Sequence, residues 1–128
     1  DFHTHENIAR MTAGIPLTDS DREPWLKSLS AILRKNLLSG SSLVLACSAL
    51  KRDYRRQLAE GVDLIRFIYL NLDVPALQRR LSKRQDHFMP SDLLASQLEI
   101  LEEPKHAIVI EASGDTMSVV RDILDQLE

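Results

Sequence analysis

The chain has 128 residues, which is one domain or part of one at about 100–200 residues per domain. At 44% hydrophobic and 27% charged, with four glycines and five prolines, it is neither disordered, collagen-like nor of low complexity. A net charge of −3 gives no general pull toward nucleic acid or anionic lipid.

The start, Asp1 to Glu6, has no basic region followed by an apolar core, so it does not read as a signal peptide. It is polar, reads as the middle of a loop and lacks an initiator methionine, which predicts a processed terminus, or else a fragment or shortened form. From Asp21 to Leu38, Leu26, Leu29, Ile32, Leu33 and Leu37 recur at helical spacing. Thr18 to Asp21 offer caps, Pro24 fits a first turn, and Gly40 follows the end. Leu43 to Cys47 is an apolar run that predicts a strand and falls far short of a membrane span of roughly 20 residues. Its Cys47, the one cysteine, cannot form an internal disulfide, which suits a reducing compartment, most simply the cytoplasm.

Lys51 to Glu60 is a short basic helix closed by Gly61. Leu64 to Leu72 reads as a second strand, buried at its centre. Asp73-Val74-Pro75 opens a helix to about Lys83, and Ser91 caps one to about Leu101. Ala107 to Ile110 is a third strand. Thr116 to Leu127 is a final helix with Val119, Val120, Ile123, Leu124 and Leu127 on one stripe. Alternation of this kind predicts an α/β domain: a parallel sheet of three visible strands, buried on both faces between layers of helices. Ligands of such sheets lie beyond the carboxyl ends of the strands, which directs attention to the residues after Cys47, Leu72 and Ile110.

Two basic clusters stand there. Lys51 and Arg55, four residues apart, share one helix face after the first strand and suit a small anion, or else form a solvated basic face. Arg79 to Met89 forms the second, either favourable charge at a helix carboxyl end or a mobile lid for transferred phosphate. Nucleic-acid binding fits poorly with the acidic total and 5% aromatic content. His3 and His5 lack a third ligand at suggestive spacing, so no metal site is expected from them. Cys47 reads as a small buried hydrophobe and Trp25 as core, while Asp19, Asp21 and Arg22 suit either caps or a pocket.

Longer motifs carry more. Asp1-Phe2-His3 with Asn7, Met11 to Leu17, Asp19 to Leu26, Ala46-Cys47-Ser48-Ala49-Leu50-Lys51 with Tyr54-Arg55, Lys83 to Pro90, and Gln97 to Glu102 with Pro104 together resemble the gluconate kinase (gluconokinase) family over essentially the whole chain. The resemblance implies a P-loop small-molecule kinase that phosphorylates the 6-hydroxyl of D-gluconate with ATP and Mg²⁺, giving 6-phosphogluconate. It implies a single domain over 1–128, a three-layer parallel-sheet core, a helical lid at about 79–102, and a homodimer. Carried over by position, Arg22, Lys51 and Arg55 would hold the gluconate carboxylate and hydroxyls, with His3 near the same pocket. Arg80 and Arg84 would neutralise phosphate charge from the lid and His87 would shape it. Ala112, Ser113 and Gly114 would lie near the adenine.

The departure from the family pattern is large. No G-x-x-x-x-G-K-[S/T] occurs, and Gly14, Gly40, Gly61 and Gly114 build no phosphate loop. The family's first strand, that loop, the helix after it and the acidic residue just before Asp1 are not in these 128 residues. The expectation is therefore a gluconokinase sequence with impaired phosphoryl transfer. The alternative is a non-catalytic, gluconate-binding or regulatory form.

Overall fold

The computed structural model describes residues 2–84, 90 and 93–128. The elements are α1 (His5–Thr12), α2 (Asp19–Ser39), α3 (Arg52–Ala59), β1 (Ile68–Asn71), α4 (Val74–Lys83), α5 (Leu94–Ile100), β2 (Ile108–Glu111) and α6 (Thr116–Leu127). They fall into two compact units, Asp1–Ile65 with Asp86–Glu103, and Arg66–Gln85 with Pro104–Glu128. Among the described residues no helix is long and apolar enough to cross a membrane.

The first unit is helical, and its helix ends follow local chemistry. Thr18 caps α2 by accepting from the Asp21 amide at 3.1 Å, while the Asp21 carboxylate accepts from the Thr18 amide at 2.8 Å. This reciprocal box starts the helix at Asp19, so Pro24 lies inside it rather than in its first turn. Gly40 ends it at φ +68°, a left-handed turn that glycine adopts without steric cost. Trp25, Leu26 and Leu29 of α2 are buried in this unit's core, as are Tyr54 and Leu58 of α3, and α2 packs on α3. Met11, Leu17 and Leu93 form a second buried cluster.

Of the opening residues, Phe2 to Thr4 lie outside helices and strands, whereas His5 and Glu6 begin α1. Thr4 accepts from the Asn7 amide at 3.1 Å and starts α1, whose buried residues Asn7 and Met11 lie four apart. The Asn7 side chain donates to the Asp21 carbonyl at 2.6 Å, tying α1 to the start of α2.

The second unit holds the parallel sheet. β1 and β2 pair in register, Ile68 with Ile108 through Asn71 with Glu111, so the expectation of a parallel sheet holds for this pair. α4 starts where Asp73 accepts from the Ala76 amide at 2.7 Å, and α6 starts where Asp115 accepts from the Ser118 amide at 2.9 Å. α6 lies against β2, where Ile110 is buried.

Three expectations need correction. Residues 43–47 are not a strand: extended backbone becomes a strand only with a hydrogen-bonded neighbour, and the sheet among the described residues has two strands, β1 and β2. Val44 is 96% exposed. Second, the sheet is not buried on both faces, since Leu70 and Val109 are more than half exposed. Third, the α6 stripe divides, with Val119 and Ile123 half-buried and Val120, Leu124 and Leu127 exposed. The proposed cap Ser91 lies outside the described residues.

Candidate functional site

In the first unit, two of the sequence-selected residues, Arg22 and Lys51, meet over one buried tyrosine. Arg22, on the first turn of α2, is only 4% exposed. Its Nη1 donates to the Leu17 carbonyl at 2.8 Å and to Tyr54 Oη at 3.2 Å. Arg22 and Lys51 both lie over the Tyr54 ring, at 5.6 and 5.7 Å from its centroid. That ring's negative face helps hold two like charges together. Lys51 Nζ meets both carboxylate oxygens of Asp19 at 2.8 Å, and Tyr54 Oη donates to the same carboxylate.

Tyr54 was given no site role from the sequence, and Asp19 was left between a cap and a pocket residue. The available signal was spacing: Asp19 stands three residues before Arg22 and Tyr54 three after Lys51, the spacing of one helical face. Hydrogen bonds from Lys51, then from Tyr54, hold the Asp19 carboxyl below its ordinary value. Burial, then the bond to Asp19, pushes the Tyr54 hydroxyl up, and the Asp19 partnership raises Lys51. At neutral pH the cluster therefore holds Lys51 and Asp19 as ions and keeps the Tyr54 proton on its oxygen.

His3 completes this neighbourhood. Its ring stacks on Trp25 with centroids 4.5 Å apart and planes 10° from parallel. Burial and then the Arg22 charge lower its pKa, which favours the neutral imidazole. A neutral ring can donate and accept one hydrogen bond each, a chemistry suited to hydroxyls.

Arg55 is placed differently from Lys51. Its Nη1 donates to the carbonyls of Ala49 and Leu50 at 2.7 and 3.0 Å, and its Nη2 to the Glu102 carbonyl at 2.7 Å. The expected shared helix face is not formed, because α3 starts at Arg52 and Lys51 precedes it in extended backbone: Lys51 meets a carboxylate, and Arg55 holds the backbone of the turn before α3. Cys47 is half-buried, and burial pushes its thiol up, away from the thiolate a nucleophile requires.

In the second unit, Ala112, Ser113 and Gly114 follow β2 directly. Arg80 of α4 donates from Nη2 to the carbonyls of Ala112 and Gly114, the latter at 3.2 Å. Two residue sets taken separately from the sequence are therefore one substructure, a turn held by a guanidinium. Arg84, the residue that ends α4, is exposed. His87 lies outside the described residues. Among the described residues no group of three His, Cys, Asp or Glu side chains gathers as a metal site.

No protein-family model matches the chain. It is 46% identical over 116 residues to the gluconokinase of Gluconobacter oxydans, covering 89% of this chain but 65% of that relative's length. A Xenopus tropicalis protein named "Probable gluconokinase" is 38% identical over 146 aligned positions, covering 100% of this chain and 77% of the relative. Among solved structures, a sugar kinase from Janibacter sp. HTCC2649 matches with a TM-score of 0.89 and 43% identity, covering 98% of this chain and 75% of that one. A gluconokinase from Sinorhizobium meliloti 1021 matches with a TM-score of 0.82 and 39% identity, covering 98% and 72%. Agreement in sequence and in fold over nearly the whole chain has one consequence: the chain belongs to the gluconokinase family.

Proposed function

We propose that this chain forms the sugar-acid side of an enzyme that phosphorylates D-gluconate with ATP to 6-phosphogluconate. The observation that supports it most is the meeting of Arg22 and Lys51 over the Tyr54 ring, with His3 stacked on Trp25 and within reach of the Arg22 charge, in a member of the gluconokinase family. Gluconate is an anionic polyol, and this cluster offers cations for a carboxylate and a neutral imidazole for hydroxyls. Lys51 exchanges its Asp19 partner for the substrate carboxylate, and Asp19, already ionised, accepts from a substrate hydroxyl. Arg55 contributes by holding the turn that carries Lys51.

Phosphoryl transfer depends on positioning and charge stabilisation more than on covalent chemistry from the protein. Bound ATP supplies the phosphoryl group. Of the residues assigned to its side, Arg84 offers an exposed guanidinium, and Arg80 orders the 112–114 turn. These 128 residues carry no glycine-rich phosphate loop, so by themselves they bind gluconate with little or no turnover.

Calorimetric titration of the 128-residue protein with gluconate, alongside a coupled assay with ATP and Mg²⁺, tests this reading. Saturable gluconate binding, weak or absent binding of uncharged sorbitol, and negligible turnover are expected. Equal affinity for both polyols would refute the role of the cations, and ordinary turnover would refute the role given to the phosphate loop.

A further inference from the structure

Lys51 sits at a junction that its own side chain cannot stabilise. It is the residue before α3, and it makes no side-chain capping bond to that helix. The turn leading to it contains Ala49 at φ +38°, a left-handed conformation unfavourable for a residue with a Cβ. Such a turn persists only where its surroundings hold it.

Glu102 supplies that hold through three bonds. Its carboxylate Oε2 accepts from the Arg52 amide at 2.7 Å, capping α3 from a different segment of the chain. Its own amide donates to the Leu50 carbonyl at 2.9 Å. Its carbonyl accepts from Arg55 Nη2 at 2.7 Å, while Nη1 of the same guanidinium grips Ala49 and Leu50. Residues 49, 50, 52 and 55 are thus all tied, directly or through Arg55, to one residue just beyond α5. The bonds surround Lys51 without touching its ammonium, which is left for Asp19.

From this geometry we infer that Glu102 is a positioning residue for Lys51: it caps α3 in place of the missing local cap and fixes the strained 49–51 turn. The inference rests on Lys51 being a sugar-acid contact. A carboxylate suits this task because the first amides of a helix favour a negative charge as well as an acceptor.

The test uses two variants, Glu102→Ala and Glu102→Gln, the second keeping an acceptor oxygen without the charge. In the unliganded protein, the Lys51 side-chain NMR signals report its Asp19 pairing, and amide exchange reports the Arg52 bond. Glu102→Ala is expected to speed Arg52 exchange by about tenfold and to move the Lys51 signals toward those of an unpaired lysine. Glu102→Gln is expected to restore most of both. On titration with gluconate, Glu102→Ala weakens binding by about tenfold, and Glu102→Gln by no more than about threefold. Lys51 signals that stay unchanged in Glu102→Ala, with the fold retained, would overturn the inference. So would unchanged gluconate affinity. If the wild-type protein does not bind gluconate, the functional reading fails by itself, and the unliganded signals still decide whether Glu102 positions Lys51.

Discussion

Replacing Tyr54 by phenylalanine removes one oxygen from the middle of the cluster and leaves the ring in place. That oxygen accepts from Arg22 and donates to Asp19. The two partners respond unequally. Asp19 has a side chain 63% exposed and keeps Lys51, so water replaces the lost donor at little cost. Arg22 is 4% exposed and keeps the Leu17 carbonyl, so one donor of a buried charged group loses its acceptor. Leaving a buried donor unsatisfied costs about 1–3 kcal/mol, partly offset because phenylalanine has no hydroxyl to desolvate. The expected loss is about 1.5 kcal/mol. With a urea slope of about 1.5 kcal/mol/M, the unfolding midpoint falls by about 1 M with the slope unchanged. Trp25, the one tryptophan, is buried in the same unit and reports the transition by fluorescence. A midpoint within about 0.3 M of wild type would refute the claim that this hydroxyl holds the Arg22 charge.

Further outcomes follow from other contacts. As pH falls below 6.5, the unfolded chain takes up a proton at His3 that the folded chain resists, so stability declines until the folded imidazole titrates; His3→Phe keeps the stacked ring and flattens that arm of a stability–pH curve. Asp19, lowered in the folded state, contributes stability that is present above its ordinary value of 3.8 and lost as pH falls through its folded pKa; Asp19→Asn flattens only this acid arm. Arg80→Met frees the carbonyls of Ala112 and Gly114, and amide exchange over 113–115 accelerates by about tenfold while exchange in α3 does not change. Thr18→Ala breaks the box that starts α2 and costs about 1 kcal/mol, seen as a melting temperature lower by about 3–5 °C.

Much of the fold was legible because its boundaries are local chemistry. Asp73 before α4, Asp115 before α6 and Gly40 after α2 each act through bonds or dihedrals within a few residues, and such signals survive in a bare sequence. Residues 43–47 misled for the opposite reason. Their apolar run suits a strand, but a strand is defined by a ladder partner elsewhere in the chain. α1 was hidden by its polar surface, which leaves only Asn7 and Met11 buried.

The candidate site was legible in its cations and less so in what arranges them. Arg22 and Lys51 stand out by charge and by family motif, whereas Tyr54 stands in the same motif with no role until its hydroxyl is seen between Arg22 and Asp19. Glu102 is about fifty residues from the turn it holds, and no local pattern announces such a bond. The split between Lys51 and Arg55 was equally invisible, since four-residue spacing predicts one shared face without saying where α3 starts or what either grips.

The most direct test of the account is gluconate titration of the wild-type protein against Lys51→Met, with Arg56→Met as a control at an exposed cation on α3. The account predicts saturable binding for wild type and Arg56→Met and a loss of at least tenfold for Lys51→Met. Equal affinity in all three proteins would contradict the assignment of this cluster to the sugar acid.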